Sequence, residues 1–475
     1  MTTTLTPDIC VIGGGSGGLS VAAACAAFGV PVVLIEKGKM GGDCLNYGCV
    51  PSKAMIAAGK LAQSMRSASK FGIASVEPDI DFRQVNRHIR SVIAAIAPND
   101  SVERFTALGV RIIQAEAAFR DKRTVVAGEF EIRARRFVVA TGSAPLVPPI
   151  PGLDTVDYLT NETVFEQTRR PRHLVVVGGG PIGMELAQAH RRLGSAVTVV
   201  EAAKALGKDD PELAAAALAR LRGEGIDIRE EAKVVKVEKR GKSGVRVHVE
   251  TASGADQVDG THLLVAVGRA ANVNGLGLDE AGIAHDRRGI TVTGKLRTTN
   301  RRVYAIGDVA GSLQFTHVAS YHAGLVVRAL LFRLPAGENR AIIPWATYTD
   351  PELAQVGMQE AEARKAHGRI SVLRWPYAEN DRAQTERKTG GFIKVIAGRR
   401  GRILGVGIVG ANAGELIHIW ALAVAKGLSL RDMTAYVPPY PTMTEIGKRA
   451  AITYFAGATR KPIVRRLIAF LRRFG

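Results

Sequence analysis

Cysteine is scarce and unevenly placed. The chain has 475 residues and four cysteines, Cys10, Cys25, Cys44 and Cys49, with none after position 49. A framework of extracellular staples would spread its cysteines through the fold, so this clustering argues against disulfide stapling and secretion. Acidic residues are the second deficit: 44 Asp and Glu stand against 64 Lys and Arg, a formal net charge of +20. That excess points to an anionic partner, either nucleic acid or a membrane surface. For nucleic acid there is no recognition motif and no interleaving of aromatic with basic residues, so that class is set aside. Charge is missing altogether from Ile9 to Ile35, which mimics a membrane span or signal peptide. Five glycines between positions 13 and 18 and then Pro31 interrupt the run, and no Lys or Arg precedes it. It therefore reads as strand, loop, helix and strand in a soluble, cytoplasmic body. A hydrophobic share of 46% excludes a disordered or collagen-like chain, and the length implies about three domains with ample core.

The uncharged run carries its own design. Ile9–Ile12 predicts a buried strand, followed by a glycine-rich turn, an Ala-rich helix to about Phe28, and a strand Val32–Ile35 closed by Glu36. Gly13 permits the tight turn, Gly15 lets backbone N–H groups approach a pyrophosphate, and Gly18 allows close packing of helix on strand. The helix N-terminus faces the phosphates, and Glu36 can accept from ribose hydroxyls. The pattern recurs with the strand Leu174–Val177, then Gly178, Gly180 and Gly183, a helix to about Leu193, and the strand Val197–Val200 ending at Glu201. Each acid stands 18 residues beyond its last glycine. One such pattern is weak evidence; two in register predict two bound dinucleotides. Glu201 favours the 2′-hydroxyl of NADH and repels the 2′-phosphate of NADPH. Ala202 and Ala203 follow it, and only Lys204 is near.

The run 41–53, GGDCLNYGCVPSK, places Cys44 and Cys49 five positions apart beside a helix start and Lys53. Helix N-termini and nearby cations favour thiolates, and thiolates carry out disulfide exchange. Two buried cysteines that never pair would also fit this spacing. No second Cys or His pair stands at zinc-ligand spacing. Cys10, in a strand, and Cys25, on the helix, read as inert core residues.

With these residues on the page, the chain resembles the class I flavoprotein pyridine nucleotide-disulfide oxidoreductases along essentially its whole length. Its pattern is nearest the mercuric reductase and dihydrolipoamide dehydrogenase branches. The run 41–53 resembles that family's redox-active disulfide motif. Ala140-Thr141-Gly142 and Ala266-Val267-Gly268-Arg269 are similar to its linker motifs, and Val303 to Asp308 to its second FAD motif. Thr349 to Glu352 and Ala413 to Glu415 resemble parts of its dimerisation domain. The resemblance implies an α/β fold with two Rossmann-like domains, for FAD and for NAD, plus a C-terminal α+β dimerisation domain. Their expected limits are 1–150 and 273–340 for FAD, 151–272 for NAD(P)H and 341–458 for dimerisation. It also implies FAD held by Gly13, Gly15, Gly18, Glu36, Lys37, Gly42, Lys53, Ala117, Thr141, Gly142, Asp308 and Thr316. NADH, with NADPH less favoured, would lie on Gly178, Gly180, Gly183, Glu201 and Gly268. Cys49 would be the thiol nearest the flavin and Cys44 the interchange thiol. Lys53 and Glu185 match the family's ion pair near the flavin, although either could be a solvated helix charge. The acceptor would be a small molecule or a metal ion, and the active site would be shared across a homodimer.

Members that reduce dithiols place a His five residues before a C-terminal Glu. Here Glu445 is present, but the His position holds Tyr440. A phenol, with a reference pKa of about 10, accepts protons poorly at neutral pH. Tyr440 resembles the mercuric reductase residue, yet the C-terminal cysteine pair of those enzymes has no counterpart, and Tyr440 could instead be an interface aromatic. His317, His322 and His418 are the other candidate bases, each read as structural. Residues 459–475 carry six basic residues and no acid, with apolar residues at helical spacing. Such a tail fits an anionic bilayer, or a helix docked on the dimer with its arginines in water.

Overall fold

A computed structural model describes residues 3–241, 244–311 and 313–474. Among these, three five-stranded sheets organise the chain. The first is parallel, in the order Val303–Ala305, Arg136–Val139, Ile9–Ile12, Val32–Glu36, Val110–Gln114. A central parallel strand is covered on both faces and so must be apolar throughout. Ile9, Cys10, Val11 and Ile12 are all buried. The helix Ser16–Ala27 returns over this sheet with Leu19, Val21, Ala22 and Cys25 inward, and it packs beside the helix Thr316–Leu331.

The second sheet repeats the plan. Its order is Tyr158–Leu159, His262–Val265, His173–Val177, Ala196–Val200, Asp227–Arg229, again parallel. The helix Pro181–Arg192 follows the second glycine turn, with Pro181 at its first position, where a missing N–H costs nothing. Both glycine turns and both acids thus sit at corresponding ends of parallel strands. The expected helix ends near Phe28 and Leu193 fall at Ala27 and Arg192.

The third sheet is antiparallel: Trp345–Thr347, Glu352–Gly357, Ile403–Gly410, Phe392–Ala397, Ser371–Pro376. The helices Ala413–Lys426 and Glu445–Ala456 cover it through Ile417, Trp420, Ile446 and Ala450. The basic segment forms the helix Pro462–Leu471, with no buried residue. No helix among the described residues is long and apolar enough to cross a membrane.

The glycines separate by what surrounds them. A Cβ on Gly18 would lie 1.9 Å from the Gly13 carbonyl oxygen, and one on Gly183 would lie 2.0 Å from that of Gly178. A Cβ on Gly180 would meet nothing within 4 Å. Gly183→Ala should therefore destabilise the protein by about 1–3 kcal/mol or more, because backbone must move. Gly180→Ala should leave the thermal midpoint unchanged while weakening NADH binding. Thermal unfolding and NADH KM measured on both variants check this pair of outcomes.

Candidate active site

Gly13 and Gly178 adopt φ of +110° and +113°, and a Cβ on either would strike the neighbouring strand's carbonyl, Ala140 O or Ala266 O, at 2.4 Å. Beyond these turns Gly15 is open apart from the Gly42 Cα, 3.9 Å from where a Cβ would be. Each cradle thus has a fixed turn, an open middle and a tight helix contact, as a pyrophosphate needs. The acids are held alike. Glu36 accepts from the Gly14 and Gly38 N–H groups at 2.5 and 2.6 Å, and Glu201 from Gly179 and Ala203 at 2.7 and 2.8 Å. Lys204 is tied to Glu231 at 3.1 Å.

The segment with both thiols docks directly on the first cradle. Gly41 N–H donates to the Gly14 carbonyl at 2.9 Å, and Gly42, at φ +60°, lies so close to Gly15 that no side chain fits between them. Cys44 belongs to the short helix Gly42–Asn46, and Cys49 opens the long helix Cys49–Arg66. Cys49 Sγ lies 3.5 Å from Thr316 Oγ1, at the start of the helix Thr316–Leu331. The two thiols are opposite in character. Cys49 is lowered to about 6: the hydrogen bond with Cys44, the Thr316 hydroxyl and the Lys53 charge together outweigh burial and the Glu185 charge. Cys44 is raised far above the usual thiol range by its hydrogen bond to Cys49, then by burial and the neighbouring thiolate. Cys10 is raised by burial, and Cys25 is pushed up to about 11 for the same main reason, as expected of core residues.

Lys53 lies one turn beyond Cys49. Its Nζ meets Glu185 Oε2 at 2.8 Å and stands 4.5 Å from the centre of the Tyr348 ring. Glu185 is buried in the helix Pro181–Arg192, and its Oε1 accepts from the Tyr348 backbone N–H at 2.8 Å. Burial pulls the Lys53 pKa down, but Glu185, Cys49 and Tyr348 outweigh it, so the ammonium is raised and stays charged. Glu185 is buried and paired, whereas the Lys53 side chain remains 37% exposed.

The linker motifs meet each other. Ser143–Pro145 pairs antiparallel with Arg269–Ala271, and Asn272 exchanges hydrogen bonds with Thr141. Gly142 and Gly268, at φ +67° and +138°, have open space where a side chain would be. Ser143 donates to Asp308 and accepts from Arg269, and Arg269 lies 3.2 Å from Asp43. Burial raises the Asp308 carboxyl. Lys37 is exposed beside Glu116 at 3.4 Å, and Ala117 is buried in the strand Ala117–Asp121. Neither lies in the thiol cluster.

Tyr440 and Glu445 stand apart from that cluster within one chain. The Tyr440 hydroxyl donates to Asp381 at 3.0 Å, while Glu445 accepts from the Thr442 N–H at 3.3 Å. Asp381 raises the already high Tyr440 pKa, although the side chain is 72% exposed. His317 hydrogen-bonds the Pro344 carbonyl at 2.8 Å. His322, fully buried, accepts from Gly307 N–H and reaches Glu338 at 3.0 Å. His418 lies on the helix Ala413–Lys426. Among the described residues no cluster of three or more His, Cys, Asp and Glu could hold a metal ion. Sequence reasoning missed Tyr348, one residue before a segment it had singled out, and Asn161, whose amide donates to Asp43 and the Tyr47 carbonyl.

Two dinucleotide cradles, with a thiol pair beside the first and an antiparallel sheet domain against them, define a flavin- and nicotinamide-dependent thiol oxidoreductase. Residues 7–323 match the family "pyridine nucleotide-disulphide oxidoreductase", and residues 343–451 match its dimerisation domain. The chain is 35% identical to mercuric reductase from Streptomyces lividans, over 94% of this chain and 96% of that one. It is also 35% identical to dihydrolipoyl dehydrogenase from Thermus scotoductus, over 93% and 95%. Among solved structures, the HOCl-induced flavoprotein disulfide reductase RclA from Escherichia coli superposes with a TM-score of 0.83 at 28% identity, covering 94% of this chain and 99% of that one. LpdA from Mycobacterium tuberculosis superposes at 0.87 and 26%, covering 95% and 99%. The chain belongs to the pyridine nucleotide-disulphide oxidoreductase family. It is an FAD-dependent enzyme that uses NAD(P)H.

The environment of Cys49 sets a measurable pH dependence. A lowered pKa leaves the thiolate present above about pH 6 and lost as pH falls through that value. Alkylation of the reduced holoenzyme by iodoacetamide should show that midpoint. Thr316→Val removes a hydrogen bond to the thiolate and should move the midpoint upward; an unchanged midpoint would contradict the assigned contact.

Proposed function

We propose that the chain carries electrons from NADH to a thiolate-binding metal ion, such as mercuric or cupric ion, through the Cys44–Cys49 pair. Bound FAD would supply the two-electron chemistry between the nicotinamide and the disulfide. The Gly13–Gly18 turn and Glu36 would hold its adenosine and pyrophosphate end, and Asp308 its ribityl chain. FAD binding is assigned to 1–150 and 273–340, NADH binding to 151–272, and dimerisation to 341–458. In the reduced pair Cys49 would be the thiolate, held by Thr316 and Lys53. Cys44, kept protonated beside it, is the thiol that meets the acceptor. Lys53, locked by Glu185, supports negative charge developing in the cleft. Two electrons passed from the thiol pair to one mercuric ion or two cupric ions would re-form the disulfide, with the Cys44 proton released to solvent. Glu201 favours NADH, and Ala202 and Ala203 beside it supply no cation for a 2′-phosphate.

The observation that carries the acceptor class is Tyr440. Where dithiol substrates need a proton acceptor, this chain has a phenol whose pKa is raised further by Asp381. Soft metal ions need thiolates more than they need a base. Mercuric reductases are among the relatives, and RclA was crystallised as a Cu(II) complex. This chain has no cysteine after Cys49, so transfer of the metal would differ from an enzyme with a C-terminal cysteine pair. Tyr440 and Glu445 would act from one protomer of a homodimer on the site of the other.

Anaerobic titration of the holoenzyme with NADH should expose two additional thiols per chain to Ellman's reagent, and NADPH should do so only at much higher concentration. Cys49→Ser should abolish the increase; if it persists, the thiols are wrongly assigned. NADH oxidation with mercuric or cupric ion as acceptor should be faster than NAD+ reduction with dihydrolipoamide as donor. Tyr440→His should raise dihydrolipoamide turnover by about 10²-fold or more. Fast turnover in the native enzyme would refute the argument from the missing base.

A further inference from the structure

We infer that the helix Pro462–Leu471 is an interfacial anchor for an anionic lipid bilayer. At about 100° per residue, Ile463, Val464, Leu467, Ile468, Phe470 and Leu471 fall within one arc of roughly 160°. Pro462, Arg465, Arg466 and Ala469 occupy the remainder. Phe474 returns to the apolar side, its ring edge-to-face with Phe470 at 5.0 Å, while Arg472 and Arg473 continue the basic side. Apart from Val464, the apolar residues of this face are all more than half exposed. Separation of apolar and basic residues to this degree is the signature of a helix lying in a membrane interface.

Charge selects the occupant. No acidic residue lies between 459 and 475. Among the described residues, none of Lys461, Arg465, Arg466, Arg472 and Arg473 is paired with a carboxylate. By contrast, Arg192, Arg246 and Arg374 in the folded body are each bidentate to an acid. The same segment of a second copy is equally basic and free of acids, so two such helices repel each other. A nucleic acid would leave the apolar arc in water. Anionic headgroups meet the arginines while acyl chains take the apolar arc. At ten residues, about 15 Å, the helix is half the length needed to span a bilayer, so it lies along the surface. This inference is independent of the electron acceptor proposed above.

The test is co-sedimentation of the full-length holoenzyme with vesicles. Binding is expected to phosphatidylglycerol–phosphatidylcholine vesicles, at least about tenfold weaker to pure phosphatidylcholine, and reduced by added salt. Leu467→Asp with Ile468→Asp, and separately Arg466→Glu with Arg472→Glu, should each reduce binding at least about tenfold. NADH oxidation without vesicles should stay unchanged, showing that the fold is intact. Absence of binding, equal binding to both vesicle types, or binding indifferent to both variants overturns the proposal. A change of oligomeric state in either variant on size-exclusion chromatography also overturns it, because the helix would then be docked on a second copy.

Discussion

Much of the site depends on one carboxylate. Glu185 is buried in the helix Pro181–Arg192, takes the Lys53 ammonium on one oxygen and the Tyr348 backbone N–H on the other. Its three residues come from three different parts of the chain: the helix after the first thiol loop, the helix after the second glycine turn, and the strand edge of the antiparallel sheet. A partly buried ion pair adds little net stability, because desolvation of Glu185 cancels much of the attraction. What it contributes here is position. The helices Cys49–Arg66 and Pro181–Arg192 approach so closely that a Cβ on Gly59 would stand 3.4 Å from the Ala189 carbonyl oxygen. Arg192, at the end of the same helix, reaches Glu224 at 2.7 Å and Asp350 at 2.9 Å. The second cradle, the thiol helix and the third sheet are therefore clamped at both ends of one helix.

That clamp explains how four cysteines come to have different chemistry. Cys10 and Cys25 sit in apolar surroundings, where burial disfavours the thiolate. Cys49 is exposed, and a hydroxyl, a thiol and an ammonium all face it. Glu185 is the charged partner that holds Lys53; a mobile lysine would spend part of its time in solvent and lower the thiol pKa less. The reactivity of one sulfur thus depends on a carboxylate 136 positions away in sequence.

The parts of this arrangement that were legible in the sequence are those governed by local rules. Glycine spacing, apolar runs and a terminal acid identify each cradle, because turn geometry and helix packing act over a few residues. The observed strands and helices follow them within a residue or two. The Lys53–Glu185 pair spans 132 positions, and no periodicity points to it; family resemblance alone brought the two together. Thr316 was marked for the cofactor, and the structure adds its contact with Cys49. Tyr348, Asn161 and the Ser143–Arg269–Asp308 chain were illegible for the same reason: each exists only where distant loops converge. Their residue types are ordinary at those positions.

Under the proposed function, Tyr440 in place of a base changes what an acceptor must supply. A base at this position would carry a proton away from an attacking dithiol; a phenol bonded to Asp381 already donates its proton and holds it more tightly. Cys49, lowered to about 6, supplies a thiolate near neutral pH without that help, while Cys44 stays protonated. An acceptor that binds sulfur directly, and brings no proton of its own, draws on what Cys44 and Cys49 supply. The loss of the base and the retention of an activated thiolate are therefore compatible within one site, provided that the acceptor is chosen by affinity for sulfur instead of by proton transfer.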